Sequence, residues 1–275
     1  METMSFPGME RIVYGIDFSG ARDAGRRIWV ACGIIEGAEL FVTECFRAKD
    51  LSGSGEDRER SHRALRGFIN KQKNSIFGMD FPFGLPKTLV KEGSWEEWVL
   101  AFQDRYTSPE QFRGSCTSTS GGKELKRLTD VERKTPFSPY NLRLYRQTFF
   151  GIKDVLGPLI RDSAVSILPM QKPVSGKAWV IEVCPASTLK KERLSSPYKG
   201  GGGKKRSARE KILRCMQNTG ILKIQKSALR STIIDDRGGD ALDSVIAAFA
   251  AFRALRGGLT FEKNSPYALE GWVYV

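Results

Sequence analysis

The stretch "YGIDFSGARD", residues 14 to 23, decides how this chain is read. The largely apolar run Arg11-Ile12-Val13-Tyr14-Gly15-Ile16 reads as a buried strand, and it ends on Asp17. Ser19, Gly20 and Ala21 follow, clearing space beside the carboxylate. The stretch "IFGMDFPFGLP", residues 76 to 86, repeats the device: Asp80 closes Ile76-Phe77-Gly78-Met79, and Phe81, Pro82 and Gly84 follow. Acids at the ends of core strands lie where an α/β sheet ordinarily presents its ligand site.

Working outward, Arg11 to Asp17, Arg27 to Ile35 and Glu39 to Phe46 read as three strands, the last two joined by the tight turn Glu36-Gly37. A two-residue turn with glycine favours an antiparallel hairpin. Arg58 to Lys71 reads as a helix carrying Leu65, Phe68 and Ile69, and a strand at Ser75 to Asp80 follows. A strand reached by such a crossover is parallel to the first. Residues 87 to 177 break this rhythm: "SWEEWVLAFQDRY" and "NLRLYRQTFFGIKDVLGPLI" look helical around a loop rich in Ser, Thr, Gly and Pro. That segment reads as a mainly helical insertion within one domain spanning residues 1 to 275, with Trp95 and Trp98 on its core face. A strand returns at Ala178 to Cys184, with Glu182 between apolar neighbours. Ser207 is positioned to cap a helix that Gly220 stops, and a strong helix runs from Gly238-Gly239 to Gly257-Gly258.

Composition narrows the function classes. The chain has 275 residues, 40% of them hydrophobic and 27% charged, as expected of a globular protein able to bury a core. The opening "METMSFPGMERIV" lacks the apolar centre of a signal peptide, and the apolar run Val245 to Phe252 is too short to cross a bilayer. Five scattered cysteines without a CxxC argue against a zinc site and fit a reducing, cytoplasmic setting. The single histidine, His62, falls in a charged stretch that reads as an exposed helix. A triad with a histidine base is therefore not expected.

The acids form a constellation. Asp240 and Asp243, three apart, project from one helical face. They also suit the positive end of the helix dipole, and Asp240 suits an N-cap. Asp17, Asp80, Glu182 and these two aspartates fall at strand ends and a helix start, which share one edge of an α/β sheet. Carboxylates held together repel unless a cation neutralises them, and hard oxygen ligands select Mg²⁺ or Mn²⁺. Two such ions activate a water and stabilise the leaving oxygen of a phosphodiester.

Net charge is +13, and Ser187 to Arg230 hold thirteen Lys or Arg against two acids. A charge so concentrated suits a polyanion, and nucleic acid is the expected partner. Lys199, Lys204, Lys205, Arg206 and Arg209 around the glycine run Gly200 to Gly203 are the expected phosphate contacts, together with Arg127, Arg143 and Arg146, which alternate with aromatic residues in the insertion. The glycine run lacks the GxxxxGK[ST] spacing of a phosphate loop.

The order of strands, hairpin, helix and strand with these acids resembles the RNase H-like superfamily, and the paired aspartates on the last helix are similar to those of bacterial Holliday-junction resolvases. More closely, "GIDFSGA", "GMDFPFGLP", "IEVCPAST", "YKGGGGKKRSARE" and "GGDALDSVIAAFAA" resemble the domain-of-unknown-function family 429, described as predicted RNase H-like nucleases. The resemblance implies an RNase H-like mixed sheet with flanking helices. It also implies a metal site lined by Asp17, Asp80, Glu182 and Asp240 or Asp243. Asp80 departs from the usual pattern by lying among two prolines. Two other classes fit parts of the sequence: a Mg-nucleotide-dependent phosphotransferase or ATPase of the actin-like fold, and a nucleic-acid-binding module without chemistry.

Overall fold

The computed structural model describes residues 12–259 and 266–275. The chain begins with β1 (Ile12–Asp17), α1 (Ala24–Arg27), β2 (Trp29–Glu36), β3 (Glu39–Arg47), α2 (Arg58–Lys71) and β4 (Ile76–Met79). Arg11, placed in the first strand by the sequence reading, lies outside the described residues. Next come α3 (Trp95–Arg105), α4 (Pro109–Thr119), α5 (Leu128–Glu132) and α6 (Tyr145–Phe150), the last running through a π-helical turn into α7 (Gly157–Arg161). Then follow β5 (Val165–Leu168), β6 (Ala178–Val183), α8 (Pro185–Lys191), α9 (Gly203–Asn218), β7 (Leu222–Lys223) and α10 (Ser227–Asp235). The chain closes with α11 (Asp240–Arg256), α12 (Tyr267–Glu270) and β8 (Val273–Tyr274). Among the described residues, no helix is long and apolar enough to cross a membrane.

One mixed sheet, ordered β5-β6-β4-β1-β2-β3-β7 with β8 beside β6, organises these elements as an α/β fold. The pairs β1–β2 and β2–β3 are antiparallel, whereas β4 is parallel to β1 and β6 is parallel to β4. Because strand side chains alternate, each strand feeds both faces. Tyr14, Ile16, Phe77, Met79 and Val180 meet α2 and the helices of residues 87 to 177, among them the buried Trp98, Phe102, Phe112 and Phe149. Val13, Ile76, Ile181 and Val183 meet α9 and α11. The segment 87 to 177 is mostly helical but also supplies β5, which lengthens the sheet at one edge. Four residues, Val165-Ser166-Ile167-Leu168, are too short a run behind a helix for periodicity to separate strand from helix. The helix expected to start at Ser207 starts at Gly203 instead, with Gly202 at φ 91° ending the loop before it.

His62 is not the solvated residue its charged neighbours suggest. It is 1% exposed, its Nδ1 lies 3.1 Å from Asp154, and its Nε2 lies 3.0 Å from the Ser19 carbonyl. The sole imidazole thus ties α2 to the loop after β1.

Two glycines set how closely α11 approaches the sheet. Gly15 of β1 and Gly78 of β4 stand side by side in register. A Cβ on Gly15 would lie 2.0 Å from the Ser244 carbonyl oxygen and 2.1 Å from the Ala248 nitrogen, and one on Gly78 would lie 2.8 Å from the Ala247 carbonyl oxygen. Helix backbone therefore rests on sheet backbone, which brings the start of α11 to the end of β1. Gly15→Ala is expected to cost about 3 kcal/mol, the upper part of the overpacking range, because backbone must yield. That corresponds to a fall in Tm of roughly 6–12 °C. Gly67→Ala, on α2 with nothing within 4 Å of the added methyl, provides the control. It should hold or raise Tm, because alanine favours a helix over glycine by about 1 kcal/mol.

Candidate functional site

Asp17 ends β1 and is 8% exposed; Asp243, in the first turn of α11, is 2% exposed. With the half-buried Asp240 they offer three carboxylate oxygens, all within 4.8 Å of one another. Asp80 lies alongside, because its amide donates to the Ile16 carbonyl at 3.0 Å and so extends the pairing of β4 with β1 by one residue.

Local structure explains why the two helix acids are available. The α11 N-cap is Gly239, left-handed at φ 81°, and it offers no side chain. Asp236 does the capping: its Oδ2 accepts the Asp240 amide at 2.8 Å and the Ala241 amide at 3.2 Å. Asp240 is therefore not the N-cap, and both first-turn acids keep their oxygens for the cluster. Asp236 was missed in the sequence. Its signal is an Asp four residues before the helix start, separated from it by Arg237 and two glycines.

The cluster is short of positive charge. Lys199 Nζ lies 2.6 Å from Asp243 Oδ2 and 3.4 Å from Asp240 Oδ1. Tyr198, which the sequence reading did not single out, donates its hydroxyl to Asp243 Oδ1 at 2.5 Å. Among the described residues no hydrogen-bond donor reaches the Asp17 carboxylate. Burial and then the charges of Asp243 and Asp240 hold Asp17 well above the usual carboxylate range. Burial, followed by the charge of Asp243, pushes Asp80 up to about 8. Burial also raises Asp240 and Asp243, against the pull of Lys199. Burial alone would lower Lys199, but Asp243 and Asp17 outweigh it and raise its ammonium. One ammonium facing four clustered acids leaves room for further positive charge.

Glu182 does not join the cluster, which corrects the expectation that it converges with Asp17. It sits on β6 in register with Met79, at the same sheet edge. Its oxygens, however, accept Arg127 Nη1 at 2.7 Å, Arg127 Nη2 at 2.5 Å and the Phe83 amide at 2.9 Å. Arg127 also donates to both oxygens of Asp130, at 2.9 and 2.8 Å, and to the Glu270 carbonyl at 3.2 Å. The buried glutamate thus gets the partner its burial demands from an arginine rather than a metal ion. Arg127, 1% exposed, is fully engaged, so it is no phosphate contact.

The remaining expected contacts divide by burial. Arg209 is 2% exposed and donates to the carbonyls of Ile234 (2.7 Å), Tyr198 (2.7 Å) and Gly200 (3.1 Å). It shapes the loop that presents Tyr198 and Lys199 and cannot reach a phosphate. Lys204 is exposed, Lys205 donates to the Pro197 carbonyl at 3.2 Å, and Arg206 pairs with Asp235 at 2.7 Å. Arg143 and Arg146 are exposed, the latter paired with Glu110 at 2.7 Å. Between the acids and the Arg127 network a cavity of about 330 Å³ opens, lined by Asp80, Glu182, Lys199, Asp243 and Arg143, among others.

No family model, curated protein or solved structure matches this chain.

Proposed function

We propose that this chain is a metal-dependent nuclease of RNase H-like architecture, in keeping with the domain-of-unknown-function family 429 that its motifs resemble. The observation that carries the reading is the set Asp17, Asp240 and Asp243, with carboxylate oxygens within 4.8 Å of one another and a single ammonium between them. The strand order β3-β2-β1-β4-β6, with the first three antiparallel and the rest parallel, supports it. So does the meeting of a first-strand acid with acids of the last long helix.

The donor set is all carboxylate, buried and under-neutralised, which fits Mg²⁺ or Mn²⁺. Asp17, Asp240 and Asp243 would hold the ions, and Asp80 borders them. When bound, such ions supply an activated water and stabilisation of the leaving oxygen of a phosphodiester. The chain's own residues do the rest. Asp236 keeps the helix acids free, Arg209 fixes the loop bearing Tyr198 and Lys199, and Tyr198 orients Asp243. Lys199 neutralises part of the cluster in the metal-free protein. Its half-exposed side chain also places an ammonium within reach of a substrate phosphate at the same spot.

A cleavage screen tests this reading. Single-stranded, duplex and branched DNA and RNA would be incubated with Mg²⁺ or Mn²⁺, with chelator and Asp17→Asn as controls. Divalent-dependent cleavage lost in both controls is the expected result. Salt-dependent binding without cleavage in either metal would instead make the chain a binding module.

A further inference from the structure

A second cavity, of about 410 Å³, lies between the loop after β1 and the helices of residues 87 to 177. Its wall carries four guanidinium groups, Arg22, Arg58, Arg143 and Arg146, and one acid, Glu110. Arg146 is paired with that acid. Among the described residues, Arg22, Arg58 and Arg143 have no carboxylate within ion-pair distance. Arg58 is nevertheless held in place: it donates to the Gly20 carbonyl at 3.2 Å, and its guanidinium lies 3.5 Å from the centre of the Phe150 ring. Like charges lining one hollow repel, and a bound anion relieves that repulsion. Burial lowers Arg58, as do Arg22 and Arg146, against the pull of Asp154.

We infer that this arginine-lined cavity is a phosphate-binding subsite. The guanidinium fork matches two oxygens of a phosphate, and a fork already stacked and hydrogen-bonded loses little freedom on binding. The cavity's place in the fold says which phosphate it takes. Its Ser19, Gly20 and Ala21 follow Asp17 within four residues, and Arg143 and Gln147 line both this cavity and the acidic one. The arginine cavity and the acidic cavity thus adjoin at Arg143 and Gln147. On the nuclease reading, on which this assignment of the ligand rests, the subsite grips a backbone phosphate of the strand whose scissile bond lies at the acids. The phosphate site itself stands on the arginines alone.

The test uses the full chain without divalent metal. Binding of a short deoxythymidine strand is measured over a range of salt, and binding of inorganic phosphate by calorimetry. The double variant Arg22→Ala/Arg143→Ala removes two unpaired, exposed guanidinium groups. Lys71→Ala/Lys73→Ala removes the same charge from the exposed end of α2. Loss of two phosphate contacts should weaken strand binding at least about tenfold at low salt and lower the salt slope by roughly 1.4, with the lysine variant unaffected. Arg58→Lys, which keeps charge but not the fork, should weaken phosphate binding in the same direction. Unchanged affinity and slope in the arginine variants would overturn the subsite. If those variants also cleave with unchanged KM, the subsite fails while the nuclease reading survives. If phosphate binds and is lost in the arginine variants but no strand binds or is cut, the subsite stands for a small phosphorylated ligand and the nuclease reading fails.

Discussion

Asp243→Asn is expected to abolish divalent-dependent cleavage while leaving the chain folded. Losing even an outer partner of a metal ligand typically costs 10–100-fold in affinity or activity, so losing a ligand should cost more than about 100-fold. The fold has reason to persist. Asparagine keeps an oxygen to accept the Tyr198 hydroxyl, and Asp240 keeps Lys199 within 3.4 Å. Removing one anion from a buried cluster that burial and mutual repulsion already disfavour should hold or raise the metal-free Tm. The measurements are single-turnover cleavage, Mn²⁺ binding by calorimetry, and thermal melting in chelator. A variant that melts much lower yet still cuts would show that Asp243 is a structural anchor for Tyr198 and Lys199.

Arg127→Met should have the largest effect on stability. Its guanidinium is bonded at once to Glu182 on β6, Asp130 on α5 and the Glu270 carbonyl. Replacing it leaves two buried carboxylates without their cation, and breaking a buried pair in this way costs about 3–5 kcal/mol. The expected drop in Tm is roughly 6–20 °C. Arg127→Met/Glu182→Gln should recover part of the loss, since only Asp130 then remains as an uncompensated charge. Urea and thermal unfolding of the two variants decide the matter. A single variant that melts like the parent would mean that the Arg127 ion network adds nothing net to holding the segment 87 to 177 on the sheet.

What the sequence made legible follows the range of its signals. The hairpin β2–β3, the parallel β4 and the helix α11 rest on local turns, caps and periodicity, and the structure has each of them. Asp17, Asp240 and Asp243 could be brought together because each is placed by the end of an element. Glu182 was open to misreading because its partner lies 55 residues away in the inserted segment, beyond any pattern of spacing. Arg127 and Arg209 show a second blind spot. Charge is visible in a sequence and burial is not, so a guanidinium bonded to carboxylates or carbonyls reads the same as one facing solvent. Short strands such as β5, β7 and β8 are fixed by the sheet they join rather than by their own residues.

The contact of Gly15 and Gly78 with α11 also bears on how an ion would be received. Main chain against main chain has no rotamers to search, so the separation of Asp17 from Asp243 is fixed when the core forms. The configurational entropy of gathering those two ligands is lost at folding, before any cation arrives. Association with a divalent ion would then be governed by exchange of water and protons rather than by ordering of the chain, and would carry little change in heat capacity. An ion held as proposed would meet main chain of fixed spacing, with only the side-chain torsions of the aspartates left to adapt to its size.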